Sequence, residues 1–209
     1  MVKIVPAVLT DDPKDLEVKI RQAESITDIA QIDIMDGMFV PSNSIGSDDL
    51  KKIKTSLYLE VHIMAMNPEK MFKGFKDAGA KRILFHYEAT DNPSGLIDQL
   101  KSMAISPGMV INPKTPVKAV KQFFPRIDIL LLMAVNPGFY GAPFIPEVLD
   151  KAREISAMED KKFILSLDGG VKQDNFLDIV KAGVEQIDIG SAIFKGDPKE
   201  NYQAFLKLL

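Results

Sequence analysis

Eight short apolar runs recur along the chain at a nearly regular spacing, and amphipathic stretches separate them. The runs are rich in Ile, Val and Leu and most lack strict alternation, which is typical of parallel strands buried on both faces. They are Lys3–Leu9, Ala30–Met35, Leu57–Met64, Arg82–His86, Gly108–Ile111, Ile127–Ala134, Lys162–Leu167 and Gln186–Gly190. A chain that alternates strands and helices in this way forms a parallel α/β fold.

The helix starts reinforce this repeat. At four places an Asp, Asn or Thr stands directly before a proline, which combines a capping side chain with the preferred residue of the first helical position. These are Asp12-Pro13, Asn67-Pro68, Thr115-Pro116 and Asp197-Pro198. Gly79 and Gly183 each follow an alanine, as C-terminal glycines do. The pattern predicts helices between the strands, among them residues 16–23, 69–78, 97–103 and 175–182.

Eight strands and about eight helices in 209 residues predict a single-domain (β/α)8 TIM barrel over residues 1–209. A doubly wound open sheet is the alternative. The first strand–helix unit has no Gly-x-Gly-x-x-Gly segment, which removes the commonest nucleotide site of open sheets. Because no linker or low-complexity segment interrupts the chain, we expect one domain.

Composition narrows the classes of function. A formal net charge of -3 provides no basic surface for nucleic acid. No apolar run approaches the ~18 residues of a membrane span, and the N-terminus lacks a signal peptide, so a cytoplasmic protein is expected. Without cysteine, disulfides, zinc–thiolate sites and thiol catalysis are excluded. Metal ligands must come from Asp, Glu, Asn, Gln and the two histidines, His62 and His86.

Two of the apolar runs end in an aspartate followed by glycine. One contains Asp33 and continues to Asp36-Gly37, and the other ends at Asp168-Gly169-Gly170. In a barrel, function lies at the carboxyl ends of the strands. A carboxylate buried there is costly unless it is paired, bound to metal or needed for chemistry. Asp33 and Asp168 are therefore candidates for an acid/base pair.

Other residues at the predicted strand ends suggest a site for a phosphorylated ligand. His62 lies beside the two aspartates and is interpreted as functional, whereas His86 and Glu88 fit a structural role better. Glycine-rich loops after the last three strands present backbone N–H groups that surround an anion. Their residues are Gly138, Phe139, Tyr140, Gly141, Gly169, Gly170, Gly190 and Ser191. An apolar wall would come from Met35, Met64 and Met133.

In their order along the chain, these segments resemble the ribulose-phosphate 3-epimerase family nearly from end to end. The set is highly specific, although no single segment would be. The segments that carry the resemblance are Pro6-Ala7-Val8-Leu9, Asp33-Ile34-Met35-Asp36-Gly37-Met38-Phe39-Val40-Pro41, Val61-His62-Ile63-Met64, Asn112-Pro113-Lys114-Thr115-Pro116, Val135-Asn136-Pro137-Gly138-Phe139-Tyr140-Gly141, Asp168-Gly169-Gly170-Val171 and Gly190-Ser191-Ala192-Ile193-Phe194.

The resemblance implies a ribulose-phosphate-binding barrel that epimerises ketopentose phosphates, such as ribulose 5-phosphate, at carbon 3. Asp33 and Asp168 would be its acid/base groups on opposite faces of the substrate, with separated pKa values. The glycine-rich loops would hold the phosphate, and the three methionines would line the ene-diolate site. A divalent metal (Zn, Mn, Fe or Mg) would be held by Asp33, His62 and Asp168. Barrels of this family commonly associate into homo-oligomers.

Two residues depart from the family pattern. Gln31 stands where the family has its other metal-binding histidine, and Ala7 where it has a serine near the substrate. A glutamine ligates only through its neutral carbonyl oxygen, which suits magnesium or manganese better than zinc. One hypothesis is that the Gln31 amide N–H donates to the ene-diolate oxygen. With less metal charge, Asp33 and Asp168 would repel each other, raising one pKa.

Three other functions are considered. A hexulose 6-phosphate (allulose-type) 3-epimerase would share the chemistry and the phosphate loops. Barrel decarboxylases of sugar phosphates usually carry a lysine between the strand-end aspartates, where this chain has Ile34 and Met35. A barrel that binds sugar phosphates without turnover is motivated by Gln31 and Ala7. Two buried carboxylates favour an enzyme, since a binding protein has little need for them.

Overall fold

The computed structural model describes residues 2–138 and 142–209. Its eight strands form a closed, fully parallel barrel in which each strand pairs with its sequence neighbours. Pairing of β8 with β1, with Ile4 opposite Ile187, closes the sheet. This confirms the TIM barrel and excludes the open sheet. The strands are β1 Lys3–Val8, β2 Ile29–Met35, β3 Tyr58–Met64, β4 Ala80–His86, β5 Ser106–Ile111, β6 Ile129–Met133, β7 Ile164–Asp168 and β8 Gln186–Ile189.

Helices surround the barrel and cover the outer faces of the strands. The α-helices of the described residues are α1 Pro13–Glu24, α2 Ser47–Leu50, α3 Glu69–Asp77, α4 Pro93–Ser102, α5 Val148–Ser156, α6 Gln173–Lys181, α7 Ser191–Phe194 and α8 Pro198–Leu206. Short 3-10 segments lie at Tyr87–Ala89, Val117–Ala119 and Lys121–Arg126. No helix in the described part of the chain has the length and apolar character needed to cross a bilayer.

The predicted helix caps are confirmed at two of four places. The Asp12 side chain accepts from the backbone N–H of Lys14 at the start of α1, and Asp197 does the same for Lys199 at the start of α8. A third cap of this kind, Asn92 before Pro93, was not predicted and starts α4 four residues earlier than expected.

The other two predicted caps are wrong. At Asn67-Pro68, Asn67 adopts a left-handed φ of 53° and α3 begins only at Glu69. At Thr115-Pro116 the chain enters 3-10 turns, not an α-helix. The Thr115 hydroxyl donates to the Glu88 side chain, and Pro125 inside the second 3-10 segment cannot continue an α-helix.

The interior of the barrel is divided into an apolar half and a polar half. Side chains from β4, β5 and β6 form the apolar half: Leu84, Val110, Ile129, Leu131 and Met133, together with Val135 after β6. The polar half comes from β2, β3, β7 and β8 and contains Gln31, Asp33, Glu60, His62, Ser166, Asp168, Gln186 and Asp188, all buried. Buried polar groups are costly unless they have hydrogen-bond or charge partners. The cluster of such groups in this half therefore indicates the position of the functional site.

Candidate active site

A cavity of about 450 Å³ opens at the carboxyl end of the barrel. It brings together nearly all of the predicted site residues that the structure describes: Asp33, Met35, His62, Met64, Met133, Gly138, Asp168, Gly169, Gly170, Gly190 and Ser191. Gln31 lies fully buried behind this lining. Phe139, Tyr140 and Gly141 lie outside the described residues. The strand ends therefore converge on one concave site, as the barrel topology requires.

Asp33, His62 and Asp168 form the centre of the cavity floor. The register of β2 and β3 places Asp33 opposite His62, and His62 Nδ1 lies 3.1 Å from Asp33 Oδ1 and 3.7 Å from Asp168 Oδ2. His62 is fully buried, while the two aspartates are 7% and 9% exposed at the cavity. Two carboxylates thus contact one imidazole and remain accessible to a ligand in the cavity.

Gln31 links the same two carboxylates from below. Its side-chain Nε2 donates to Asp33 Oδ1 at 2.9 Å and to Asp168 Oδ2 at 2.7 Å. Its Oε1 is buried and has no hydrogen-bond partner among the described residues. The amide nitrogen, and not the oxygen, therefore faces the carboxylates, so Gln31 acts here as a double donor.

The electrostatics of the floor follow from burial and mutual charge. Burial raises the pKa of Asp33 to about 6, and the charge of Asp168 adds to the effect of burial. Burial alone would lower the pKa of His62, but hydrogen bonds and charges from Asp168 and Asp33 outweigh it and raise this pKa to about 9. A pKa raised toward neutrality suits a group that acts as a general acid or base.

The donor set fits a divalent metal ion. Asp33, His62 and Asp168 each offer one ligand atom, and these atoms lie within 4.8 Å of one another. Three protein ligands with further positions open to the cavity are typical of catalytic metal sites. The unpaired Gln31 Oε1 would become a fourth ligand after rotation of its amide.

The rim of the cavity is built from glycines that allow close approach of the backbone. Gly169 and Gly170 follow β7 with φ values of 111° and 65°. A Cβ atom on Gly169 would lie 2.6 Å from Val135 Cγ2, so no other residue fits without displacement. Asn175 donates to the Gly170 carbonyl at 3.0 Å and accepts from the Lys172 N–H at 2.8 Å, which holds this loop against the start of α6.

Asp36, the second carboxylate of the first aspartate motif, has a structural position outside the cavity lining. Its Oδ1 accepts from the backbone N–H groups of Met38 and Phe39, each at 2.9 Å. Its Oδ2 accepts from the N–H of Met66 at 2.8 Å. Asp36 therefore connects the loop after β2 to the loop after β3.

Two charged residues that line the cavity, Asp188 and Lys172, were not predicted from the sequence. Asp188 lies in the middle of an apolar strand, and that isolated acidic residue was the available signal. Its role depends on partners from β7 and β8, which only the strand register brings together. Lys172 stands two residues after the Gly-Gly pair and adds a cationic residue to the cavity lining near the glycine rim.

Comparison with known proteins identifies the family. The model of the ribulose-phosphate 3-epimerase family matches residues 3–194. The chain belongs to this family. The ribulose-phosphate 3-epimerase of Bacillus subtilis (strain 168) is 35% identical over 201 residues, which cover 93% of each chain. The Escherichia coli (strain K12) enzyme of the same name is 35% identical over 198 residues, covering 91% of this chain and 88% of its own.

Solved structures show that the epimerase-family chain shares its barrel with other proteins. A 3-hexulose-6-phosphate synthase superposes with a TM-score of 0.73 at 15% identity and full coverage of both chains. The 3-keto-L-gulonate-6-phosphate decarboxylase of Vibrio cholerae gives a TM-score of 0.76 at 13% identity, covering 99% of this chain and 96% of its own. At such identities the likeness concerns the fold alone.

Proposed function

We propose that this protein is a ribulose-phosphate 3-epimerase, an isomerase that interconverts ribulose 5-phosphate and xylulose 5-phosphate. The observation that carries the proposal is the pairing of Asp33 and Asp168 around His62 on the floor of a glycine-rimmed cavity. Inversion at a carbon next to a carbonyl requires two groups that exchange protons, one on each side of the substrate.

In the proposed reaction one aspartate removes the proton from C3, and the electrons move to the C2 oxygen to form an ene-diolate. The other aspartate, carrying a proton, returns it to C3 from the opposite face. The raised pKa of Asp33 lets this residue hold or accept a proton near neutral pH. Microscopic reversibility exchanges the two roles in the reverse direction.

The rest of the cavity binds and shields the substrate. Backbone N–H groups of the loops after β7 and β8, at Gly169, Gly170 and Ser191, would donate hydrogen bonds to the phosphate. Met35, Met64 and Met133 line the cavity near the aspartates. Their apolar side chains exclude water and strengthen the electrostatic interactions of the ene-diolate.

Asp33, His62 and Asp168 are the residues that would hold a divalent ion, which supplies positive charge beside the developing ene-diolate when bound. Gln31 is positioned to act in both the metal-free and the metal-bound site. As a donor it holds the two carboxylates together, and after amide rotation its Oε1 would join the ligands. As a neutral oxygen donor it suits magnesium or manganese.

Deuterium exchange tests the proposal. The purified protein is incubated with ribulose 5-phosphate in deuterated water, first with a chelator and then with Mg²⁺, Mn²⁺ or Zn²⁺. We expect deuterium at C3 and formation of xylulose 5-phosphate. Exchange with a hexulose 6-phosphate but not with ribulose 5-phosphate would contradict the pentulose assignment. Absence of exchange with both sugars under every metal condition would indicate a binding protein.

A further inference from the structure

His62 has a second hydrogen-bond partner on its far side, away from the aspartates. His62 Nε2 lies 2.9 Å from Nε2 of His86, the last residue of β4, with ring centroids 5.1 Å apart and ring planes inclined by 24°. Both histidines are fully buried. The proposed reaction does not use His86, although it is as deeply buried as the central imidazole.

The chain of contacts continues from His86 to Glu88. His86 Nδ1 and Glu88 Oε2 are both buried, and neither has a hydrogen-bond partner among the described residues. They face each other at 3.5 Å. Each of these two atoms is therefore the natural partner of the other, and a shift of about half an ångström would bring them to ordinary hydrogen-bond distance.

Glu88 is itself held by the neighbouring loop. Its Oε1 accepts from the backbone N–H of Asn112 at 2.9 Å and from the Thr115 hydroxyl. Lys151 of α5 donates to the carbonyl oxygens of Pro113 and Thr115 at 2.5 Å and 2.6 Å. This arrangement fixes the Glu88 carboxylate on the outer side of His86.

The direction of the hydrogen bonds follows from the donors and acceptors available. A carboxylate oxygen accepts, so His86 Nδ1 carries the proton that faces Glu88. Two protonated nitrogens cannot face each other at 2.9 Å, so one of the two Nε2 atoms is bare. His62 faces two carboxylates and His86 only one, which favours the additional proton on His62. The bare Nε2 of His86 then accepts from His62 Nε2–H. The remaining nitrogen of His62, Nδ1, is the one that faces Asp33 and Asp168.

Hydrogen bonding disfavours the alternative orientation of the His62 ring. His86, its partner, is held in place by the Phe39 ring, with centroids 4.8 Å apart. A half-turn of the His62 ring would place a carbon against His86 Nε2 and leave two buried polar atoms unpaired, at a cost of about 1–3 kcal/mol each.

We propose that His86, oriented by Glu88, is the positioning residue that fixes the His62 ring with Nε2–H toward His86 and Nδ1 toward the two aspartates. His86 thereby selects the nitrogen that His62 offers to the reacting site and to a divalent ion. Groups that orient a histidine ligand in this way typically change metal affinity or activity 10–100-fold when removed. The proposal rests on the proposed function only where it refers to the reacting site, and its tests require no turnover.

Nuclear magnetic resonance of the imidazole nitrogens tests it directly, because the chain has only two histidines. In tag-free, ¹⁵N-labelled protein without metal, we expect a proton on His62 Nε2, and on His86 a protonated Nδ1 with a bare Nε2. A bare Nε2 on His62 would overturn the proposal. This readout requires no substrate, so it stands apart from any failure of the epimerase assignment.

Three variants separate positioning from packing. His86→Phe keeps an aromatic ring but removes the acceptor, and we expect Mn²⁺ affinity to fall about 10–100-fold. His86→Gln places an amide oxygen near the position of Nε2 and should recover most of that affinity, with the single remaining histidine still protonated on Nε2.

Phe85→Leu is the packing control, because Phe85 is the fully buried neighbour whose ring packs on Phe72, on the outer side of β4. It should lower stability without changing Mn²⁺ affinity or the His62 tautomer. Unchanged Mn²⁺ affinity in His86→Phe, or equal losses in His86→Phe and Phe85→Leu, would contradict a positioning role.

Discussion

Gln31 Nε2 donates to Asp168 Oδ2 at 2.7 Å, across 137 positions of sequence. With its second proton the same nitrogen reaches Asp33. A similar arrangement lies deeper in the barrel, where Gln186 Nε2 donates to Glu60 at 2.8 Å and to Asp188 at 2.9 Å. In both places a neutral amide connects two buried carboxylates. At Asp33 and Asp168 it satisfies hydrogen bonds without cancelling charge, so these two carboxylates still repel each other.

Replacing Gln31 by Leu should destabilise the metal-free protein. Two hydrogen bonds to charged groups contribute about 1.5–3 kcal/mol each, which exceeds the relief from removing one unpaired buried oxygen, about 1–3 kcal/mol. We expect a net loss on the order of 1–3 kcal/mol in urea unfolding with a chelator present. Added Mn²⁺ should recover part of it, because an ion replaces the amide between the carboxylates.

Gln31→His is the matched variant for this site. It restores an imidazole where the family has one, and we expect tighter Mn²⁺ or Zn²⁺ binding by calorimetry. Equal unfolding free energies for Gln31→Leu and the unaltered protein would show that the hydrogen bonds donated by the Gln31 amide do not contribute to stability.

The two-base reaction predicts complementary defects in Asp33→Asn and Asp168→Asn. Each variant should lose about 10²–10⁴-fold in epimerisation rate, the usual contribution of a general acid or base. Each retains one aspartate, so one variant should still exchange the C3 proton of ribulose 5-phosphate and the other that of xylulose 5-phosphate. Mass spectrometry after incubation in deuterated water measures this. Loss of exchange from the same epimer in both variants would exclude the two-base assignment.

Asp188 should make stability depend on pH. Burial, with the charges of Glu60 and Asp168, raises the pKa of Asp188 well above its ordinary value. The Ser166 hydroxyl has one proton but contacts both the Gln186 carbonyl and Asp188 Oδ2, so a protonated Asp188 supplies the second donor. The native state therefore holds a proton that the unfolded chain releases near pH 4.

The sign of the effect follows from linkage. A group whose pKa is raised by folding contributes its full stability below the unfolded pKa, and this is lost as pH rises toward the folded pKa. Asp188→Asn, a neutral isostere, should gain stability over the unaltered protein progressively from pH 4 to pH 8. Urea unfolding across this range measures it. Asp160→Asn, at an exposed position, is the control, and its stability should follow that of the unaltered protein at every pH. The prediction would be contradicted if the stability of Asp188→Asn also changed with pH in parallel with that of the unaltered protein.

Gly170→Ala should weaken substrate binding more than it weakens the fold. The residue has φ 65°, and an added Cβ would lie 3.0 Å from the Phe144 backbone at the rim of the cavity. Gly196 also has a positive φ, 94°, but an added Cβ there meets no atom within 4 Å. Both alanine variants carry left-handed strain of about 1–2 kcal/mol.

Steady-state kinetics distinguish the two glycines. We expect a raised KM for ribulose 5-phosphate in Gly170→Ala and an unchanged KM in Gly196→Ala, although melting temperatures fall in both. A raised KM in both variants would show that the loss of binding comes from a general loss of stability and not from the added methyl group at the glycine rim of the cavity.

Much of the fold could be predicted because its signals are local. Strands buried on both faces have continuous apolar runs, and an Asp before a proline caps a helix wherever the following residues continue it, as at Asp12 and Asp197. The same signal failed at Thr115, where the hydroxyl binds Glu88, 27 residues away. A long-range partner outweighed the local preference there.

The candidate site likewise has a part that local sequence signals predicted and a part that depends on long-range partners. Asp33, His62 and Asp168 could be placed at the floor because every strand of a parallel barrel ends at the same rim. The partners of Gln31, Asp188 and His86 could not be predicted. Which side chain meets which inside a barrel depends on the register of strands far apart in sequence.

By itself, the sequence determined the barrel, the family resemblance and the strand-end carboxylates, because periodicity and turn chemistry depend on neighbouring residues. Only the tertiary structure decided that the Gln31 nitrogen, and not its oxygen, faces Asp33 and Asp168, and that His62 contacts His86. The physical reason is that a buried polar group takes its role from its partners, and closure of the barrel brings those partners together.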